Sequence, residues 1–289
     1  MTVPLSFALP SPLEYFSNLI AEDQGFALIE AAISIGQDQD PLLDVQSELA
    51  RLDELGDRLR QRLPADATPV HKLRILNRFF FRELGFAANV NHFHDPENSY
   101  LHKVLSSRRG IPVTLALLFT ELAGQIGLAA QGVSFPGHFL VKLRLPAGEV
   151  IIEPVSGHSL SRDELELRLE PYRQQRGLVG EFEVPLGLFL QAASPREVIA
   201  RLLGNLKLIF GQAEDWPRLL QVQQRLVRLL PQAWDERRDR GLVLAELGRL
   251  DAAGEDLLEY LARQSDAEDA AALKLRLAEW RNSPRPLLR

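Results

Sequence analysis

The chain has 289 residues, a formal net charge of -6, 46% hydrophobic residues, 25% charged residues and no cysteine. This composition is typical of an ordinary globular protein. It favours neither long disorder nor nucleic acid as a partner, because phosphate binding needs concentrated Lys and Arg. The missing cysteine excludes disulfides, zinc–thiolate sites and cysteine catalysis. At ~150 residues per domain, the length predicts two domains.

Targeting signals are not expected. The first twelve residues lack a basic segment and contain three prolines, which disfavours a signal peptide. No apolar run reaches the roughly 18–20 residues needed to cross a bilayer. We therefore expect a cytoplasmic protein without a membrane partner.

Residues 13 to about 62 predict helices, and after a short loop at 64–69 another helical stripe runs up to Gly85. The aromatic run Phe79–Phe81 could be a ligand platform, but core packing is the better interpretation. Gly85 is a plausible C-terminal cap. Apolar residues recur at helical spacing in three stripes: Phe16, Leu19 and Ile20; Leu49, Leu52, Leu55, Leu59 and Leu63; and Leu73, Leu76, Phe79, Phe80 and Leu84.

Three histidines lie in or near the polar segment 89–100. His92 and His94 flank one residue next to Asp95, and His102 follows, so a metal site is conceivable. Solvated loop histidines are commoner, and no carboxylate–histidine pattern at helical spacing supports a ligand set. We therefore predict no metal site and no cofactor.

A buried helix and a hairpin follow. Gly110-Ile111-Pro112 opens the helix, since Pro suits the first helical position, and Gly127 ends it. Strands are predicted at 131–135, 138–145 and 149–153, the last two joined at Pro146-Ala147-Gly148. A helix followed by a sheet predicts an α+β core behind a helical N-terminal region.

The tail has a different composition. Ser194-Pro195-Arg196-Glu197 is a strong helix start, and strand signals then disappear. A shift of 34 residues sets Trp216 on Leu250 and Ala233 on Ala267, which is the tetratricopeptide period. We predict a domain at 1–190 and an all-α tetratricopeptide-like domain of about two repeats at 194–289. The tail could bind a peptide in its groove or serve as a structural buttress.

The central stretch resembles the papain/transglutaminase-like core, in which Cys starts a buried helix and His and a carboxylate lie on neighbouring strands. Here Pro112 stands at the approximate position of the thiol, while His138 and Glu153 match the other two members. The wider pattern resembles the bacterial SirB-type proteins, which join a transglutaminase-like domain to tetratricopeptide repeats. It is carried by Asp95-Pro96-Glu97-Asn98-Ser99-Tyr100, Arg108-Arg109-Gly110-Ile111-Pro112, Pro136-Gly137-His138-Phe139 and Glu153-Pro154.

The resemblance and the residue types indicate nine pocket or anion-binding candidates. His138 and Glu153 are a residual pair, and they share a face only if the hairpin loop has an even length or a bulge. Arg108 and Arg109 could hold an anion with the N–H groups of the helix start, or be a solvated pair. Thr114 lies about 200° round the helix from Pro112 and is not expected to face the same place. The candidates are Asn98, Ser99, Arg108, Arg109, Gly110, Pro112, Thr114, His138 and Glu153.

Three functions remain open. The first is a non-catalytic transglutaminase-like protein with a binding or regulatory role, because His and a carboxylate alone cannot form an acyl-enzyme. The second is a hydrolase or acyl-transfer enzyme in which His138 activates water or a hydroxyl, with Glu153 orienting it. The third makes the repeats the functional part, with a protein or peptide as partner. The hydroxyl candidates are Ser99, Ser106, Ser107 and Thr114.

Overall fold

The structure is a computed structural model that describes residues 10–22, 25–92, 94–178 and 180–282. It divides into two compact units, one up to Asn205 and one from Leu206 onward. The limits proposed from composition, 1–190 and 194–289, stay a prediction. The two units are described separately.

The first unit begins with helices, as the apolar stripes predict. Ser11 and Glu14 form a capping box at the first of them. A π-helix covers Arg78–Glu83. Its Phe80 ring is fully buried, 4.4 Å from the Phe86 ring and 5.4 Å from the Phe119 ring, so this aromatic side chain belongs to the core. The helices are α1 Pro12–Leu19, α2 Leu28–Ser34, α3 Val45–Arg60 and α4 Pro69–Asn77.

Two further helices carry the centre of the unit. Helix α5 spans Leu101–Ser107 and α6 spans Pro112–Gln125. Strand β1 at Ala87–Ala88 pairs in parallel with β2 at Arg109–Gly110, immediately before α6. Nine of the fourteen residues of α6 are buried, so the start of this helix is a rigid part of the core.

An antiparallel sheet follows in the order β3-β4-β5-β6. Its turn differs from the prediction, because β5 begins at Gly148 and the β4–β5 loop has only the two residues Pro146 and Ala147. Gly148 has φ +133°, a conformation that glycine adopts without strain. The strands are β3 Ala129–Val133, β4 Leu140–Leu145, β5 Gly148–Ile152 and β6 Ser159–Leu160.

Helices α7 Arg162–Arg176 and α8 Leu186–Phe189 follow the sheet. Helix α7 starts at the capping box of Ser161 and Glu164, as the sequence predicts. Its buried Leu165 and Leu169 share a core cluster with Leu140 and Ile151 of the sheet. Helix α9, Pro195–Gln212, starts at Ser194, whose N–H donates to Glu197.

The second unit is helical throughout its described part. Helices α10 and α12 begin at Trp216 and Leu250, the residues that the repeat places in register. The helices are α10 Trp216–Leu229, α11 Trp234–Glu246, α12 Leu250–Arg263 and α13 Ala270–Asn282.

The α+β fold class, with a small antiparallel sheet that is followed along the chain by helical repeats, is therefore confirmed. Within the residues described, the structure has no helix that is both long enough and apolar enough to span a bilayer.

Candidate functional site

An open cavity of about 260 Å³ lies at the start of α6, beside the turn that precedes β4. Pro112, His138 and Glu153 all line it, so the three members of the predicted frame come together. We call it the central pocket. Its lining is Ile111, Pro112, Val113, Gly137, His138, Phe139, Leu140, Glu153, Pro154, Val155, Arg201 and Asn205.

The hairpin register explains why His138 and Glu153 face one cavity. Val141 pairs with Ile152 as the last pair of β4 and β5, so the segments that carry His138 and Glu153 leave the hairpin at the same end. Both residues lie just outside the strands, and both line the cavity there. The loop of even length, which the sequence left open, is what the structure contains.

His138 is half-buried, and its imidazole is not committed to a partner. Its backbone N–H donates to the Phe135 carbonyl at 2.9 Å, which closes the turn. No described residue forms a hydrogen bond with either ring nitrogen. Burial lowers the pKa of His138, and Arg168 and Arg201 lower it further, whereas Glu153 opposes them. The ring is therefore mainly neutral at pH ~7 and free to accept or donate one hydrogen bond.

Glu153 is bound to other side chains. Arg168 of α7 donates to its Oε1 at 2.9 Å, and the Ser156 hydroxyl donates to its Oε2 at 2.9 Å. Because both oxygens are already engaged by other side chains, Glu153 acts on His138 through its charge and forms no hydrogen bond with it. This differs from a catalytic triad, in which the carboxylate accepts the imidazole N–H.

The helix start presents no nucleophile to the pocket. Thr114 is fully buried, and its hydroxyl accepts the Ile111 N–H at 3.1 Å and lies 3.0 Å from the Asn98 carbonyl. Ser99 is also fully buried, and its hydroxyl accepts the Asn205 amide at 2.7 Å. These two hydroxyls brace the wall behind Pro112, and neither side chain is among the residues that line the pocket.

The other two hydroxyl candidates are equally committed. Ser106 donates to the His102 carbonyl at 3.0 Å and Ser107 to the Arg109 carbonyl at 3.3 Å. Both lie at the end of α5, and neither lines the pocket.

The remaining candidates lie away from the pocket. Asn98 is buried, and its amide donates to the His92 carbonyl at 2.7 Å. Gly110 lies in β2, where an added Cβ would be 2.6 Å from the Thr114 hydroxyl, so only glycine fits. Arg109 is exposed and donates to the Gly85 carbonyl at 2.7 Å. Arg108 lines a different cavity. The predicted anion site of Arg108, Arg109 and the helix start stays a prediction.

Two pocket residues come from α9, which was not among the predicted site segments. Arg201 is exposed and has no ion-pair partner within the described residues, while Asn205 is held by Ser99. They are four residues apart on one helix, so both can face the same cavity. The i, i+4 spacing behind the Ser194 helix start was the available signal, but it does not reveal which face meets the pocket.

No metal centre is formed by the described residues, since none of their His, Asp and Glu side chains cluster in groups of three or more that could hold an ion. His102, one of the histidines considered for metal binding, is instead buried at 7% exposure. Its ring packs against Gly36, where an added Cβ would be 2.4 Å from Nδ1.

The central pocket therefore combines one neutral imidazole, one unpaired guanidinium and a carboxylate neutralised by Arg168. Its net charge is positive, so it can attract an anionic group, and His138 and Asn205 can add hydrogen bonds. A neutral imidazole could also act as a base on water.

Comparison with known proteins identifies the families to which the two parts of the chain are similar. A family model described as the transglutaminase-like superfamily matches residues 46–204, and a tetratricopeptide repeat model matches residues 206–278. A UPF0162 protein of Xylella fastidiosa (strain 9a5c) is 32% identical over 83% of this chain and 85% of its own length.

Two other relatives are similar over most of their length. The UPF0162 protein PA3419 of Pseudomonas aeruginosa is 30% identical over 88% of this chain and 90% of its own. Protein SirB1 of Salmonella typhimurium is 28% identical over 72% of this chain and 74% of its own. No solved structure matches the chain.

The superfamily match covers more than half of the 289 residues, and the repeat match follows it directly. With the transglutaminase-like frame, the absent cysteine and the SirB1 and UPF0162 relatives, the chain belongs to the transglutaminase-like superfamily, as a SirB-type protein with C-terminal tetratricopeptide repeats.

Proposed function

We propose that this chain is a non-catalytic binding protein with a regulatory role, whose central pocket takes the carboxylate group of a protein or peptide. The observation that supports this most directly is that the residues at the transglutaminase-like catalytic positions are not arranged for catalysis. Pro112 lines the pocket at the approximate thiol position, and the oxygens of Glu153 are engaged by Arg168 and Ser156. A pocket without nucleophile or oriented base is suited to binding.

The charge of the pocket supports a carboxylate ligand. Arg201 supplies a guanidinium without a described counter-ion, and this group binds carboxylates through paired N–H donors. His138 and Asn205 are placed to add hydrogen bonds. Pro112, Phe139 and Pro154 give the cavity apolar walls, which suit the aliphatic part of an acidic side chain or a peptide terminus.

The repeats support a protein as the partner. Tetratricopeptide repeats offer extended surfaces that commonly bind other proteins. In the second unit, Leu258 and Leu275 are 46% and 64% exposed, which provides apolar contact area. We also propose the cytoplasm as the compartment, as the sequence favours.

The test is fluorescence polarisation on the full chain with a labelled peptide library ending in Glu, and with the same library ending in Gln amide, which has neither the side-chain nor the terminal carboxylate. We expect wild type to prefer the Glu library and Arg201→Gln to lose the preference. Arg74→Gln is the matched control, because Arg74 is an exposed arginine on α4 that does not line the pocket. Equal binding of both libraries by wild type would contradict the proposal.

The second candidate is hydrolysis by water, with His138 as base. The neutral, unpartnered imidazole in an open pocket favours it. It is tested on the same full chain with amide and ester substrates. Turnover by wild type that disappears in His138→Ala would replace the binding role with catalysis, and no turnover above the His138→Ala level supports binding.

A further inference from the structure

A second, smaller cavity of about 120 Å³ lies between α3 and the end of α5. Three of its lining residues are arginines and one is an acid. It shares no lining residue with the central pocket, and we call it the arginine pocket. Its lining is Arg51, Glu54, Leu55, Arg58, Leu105 and Arg108.

The arginines are incompletely neutralised. Arg51 donates to both oxygens of Glu48 at 2.8 Å. Arg58 and Arg108 have no ion pair with any described residue, nor does Glu54. Counting Glu48 with the lining residues, three positive charges face two negative ones, so the cavity carries an excess positive charge that an anion would balance.

The Arg108 guanidinium is held in place by an aromatic ring, and one of its nitrogens is buried without a hydrogen-bond acceptor in the described part of the chain. Its guanidinium stacks on the Phe86 ring, 4.7 Å from the centroid. One terminal nitrogen, Nη1, is buried without a hydrogen-bond partner among the described residues. Burial lowers the pKa of Arg108, and the charges of Arg51 and Arg58 lower it further, which reflects their mutual repulsion. A buried donor without an acceptor is rare in folded proteins.

The backbone at Arg108 is also unusual. It closes α5 in the left-handed conformation, with φ +61°, and its N–H donates to the Val104 carbonyl at 2.9 Å. Glycine is the common residue at such a helix end, because it has no Cβ to strain. Strained residues of this kind persist only where the surrounding structure holds them, and they are concentrated at functional sites.

We propose that Arg51, Arg58 and Arg108 form a binding site for a phosphate group, either free or carried as a phosphate monoester. Guanidinium groups match phosphate oxygens through paired donors, and a phosphate group has three or more oxygens to accept from several arginines, whereas a carboxylate has two. The cavity has the size of one small anion. The internal alternative is an ion pair of Glu54 with Arg58, four residues later on α3.

The experiment is isothermal titration of the full chain with inorganic phosphate, at constant ionic strength set by chloride. We expect saturable binding in wild type and a loss of about tenfold or more in Arg58→Gln and in Arg108→Gly. Arg108→Gly is informative because glycine suits φ +61°, so it removes the side chain without disturbing the helix end. Its circular dichroism and thermal midpoint should stay close to wild type.

Two arginine variants serve as controls. Arg74→Gln removes an exposed charge on α4, and Arg201→Gln removes the charge of the central pocket. Both should bind phosphate within about twofold of wild type. Glu54→Gln should bind more tightly, because it removes the one acid in the lining.

Four results would each overturn the proposal: no saturation in wild type, unchanged binding in Arg108→Gly, an equal loss in Arg74→Gln, or a loss in Arg201→Gln alone. The last of these would move the anion to the central pocket. A parallel titration with O-phosphoserine against serine separates the two sources of the phosphate group. Binding of both phosphate compounds supports a monoester ligand, and binding of inorganic phosphate alone supports the free ion.

Discussion

The two units use their charged side chains in different ways. In the helical repeat unit, several basic residues are paired with acids on other helices. Lys207 donates to Glu236 at 2.6 Å and to Asp239 at 2.7 Å. Burial alone would lower the pKa of Lys207, but these two acids outweigh it and raise the pKa. Arg240 binds buried Asp256 through two bonds of 2.6 and 2.7 Å.

In the transglutaminase-like unit, the charges at the two cavities are left open. Arg201, Arg58 and Arg108 have no counter-ion among the described residues, and the His138 ring has no hydrogen-bond partner there. Ion-paired side chains join one helix to another, whereas charged side chains without a counter-ion are available to bind a ligand. We therefore propose anion recognition for the first unit, and a protein-contact surface that includes the exposed leucines for the second.

The largest expected change in stability comes from breaking the ion pair between Arg240 and Asp256 in the repeat unit. Asp256→Ala leaves the guanidinium of Arg240, 22% exposed, without its bidentate partner. We expect the free energy of unfolding to fall by about 3 kcal/mol, the low end of the range for breaking a buried pair. Urea unfolding of the full chain, followed by circular dichroism, measures it.

Glu259→Ala is the matched control for Asp256→Ala. It removes the partner of Arg237 from the same helix, but Glu259 is 45% exposed. Its loss should stay below about 1 kcal/mol, because exposed ion pairs contribute little. Equal losses in the two variants would mean that burial does not distinguish these pairs.

The next effect concerns the hydroxyl at the start of α6. Thr114→Val removes the nearer acceptor of the buried Ile111 N–H, which keeps only the Asn98 carbonyl at 3.4 Å, and removes a donor to the Asn98 or Ile111 carbonyl, while keeping the shape. We expect a loss of about 1–3 kcal/mol in unfolding free energy, the cost of leaving a buried polar group unpaired. Urea unfolding again measures it.

Thr120→Val, on the same helix, serves as its control. Thr120 is half-buried and donates only to the Leu117 carbonyl, so we expect a change within about 0.5 kcal/mol. If Thr114→Val matched this small change, the Thr114 hydroxyl would be free for another role.

The fold was largely predictable because its signals are local. Pro112 at a helix start, the capping box at Ser161 and the repeat from Trp216 to Leu250 depend on residues near one another in the chain. The turn at Pro146-Ala147 was predicted one residue too long, since Gly148 suits both a loop and the first position of a twisted strand.

The site was predictable only in part. His138, Glu153 and Pro112 could be aligned with the frame of a family. Arg168 and Arg201 could not, because each is one charged residue among many on a helix, and its role depends on which face meets the pocket. That choice is made by tertiary packing and leaves no mark in local sequence.

The unpartnered His138 imidazole allows a prediction in which two variants shift its pKa in opposite directions. Arg168 lowers the pKa of His138 and Glu153 raises it, so Arg168→Gln should raise this pKa and Glu153→Gln should lower it further. The imidazole Cε1–H signal of the full chain, followed by NMR across pH, measures both. Arg74→Gln is the charge-matched control on α4. Shifts of the same sign in the two variants would show that the pair does not act on His138 through its charges.

The smallest expected effect is the pH dependence of stability that arises from the buried His102. Both ring nitrogens of His102 are buried without a hydrogen-bond partner in the described residues. Burial lowers the pKa of His102, and Lys103 lowers it further. A lowered folded pKa means that the unfolded state binds more protons. Stability is then fully present above the unfolded value of about 6.5 and is lost as pH falls from there through the folded pKa.

We therefore expect the free energy of unfolding to decrease as the pH falls from ~7 to ~5. The slope should be shallower in His102→Phe, which keeps a ring of similar shape but does not titrate. Lys103→Gln should give an intermediate slope, because removing that charge raises the folded pKa and narrows the gap to the unfolded one. Urea unfolding at several pH values compares the three chains. Identical slopes in wild type and His102→Phe would contradict the prediction, because they would mean that His102 binds protons equally in the folded and unfolded states.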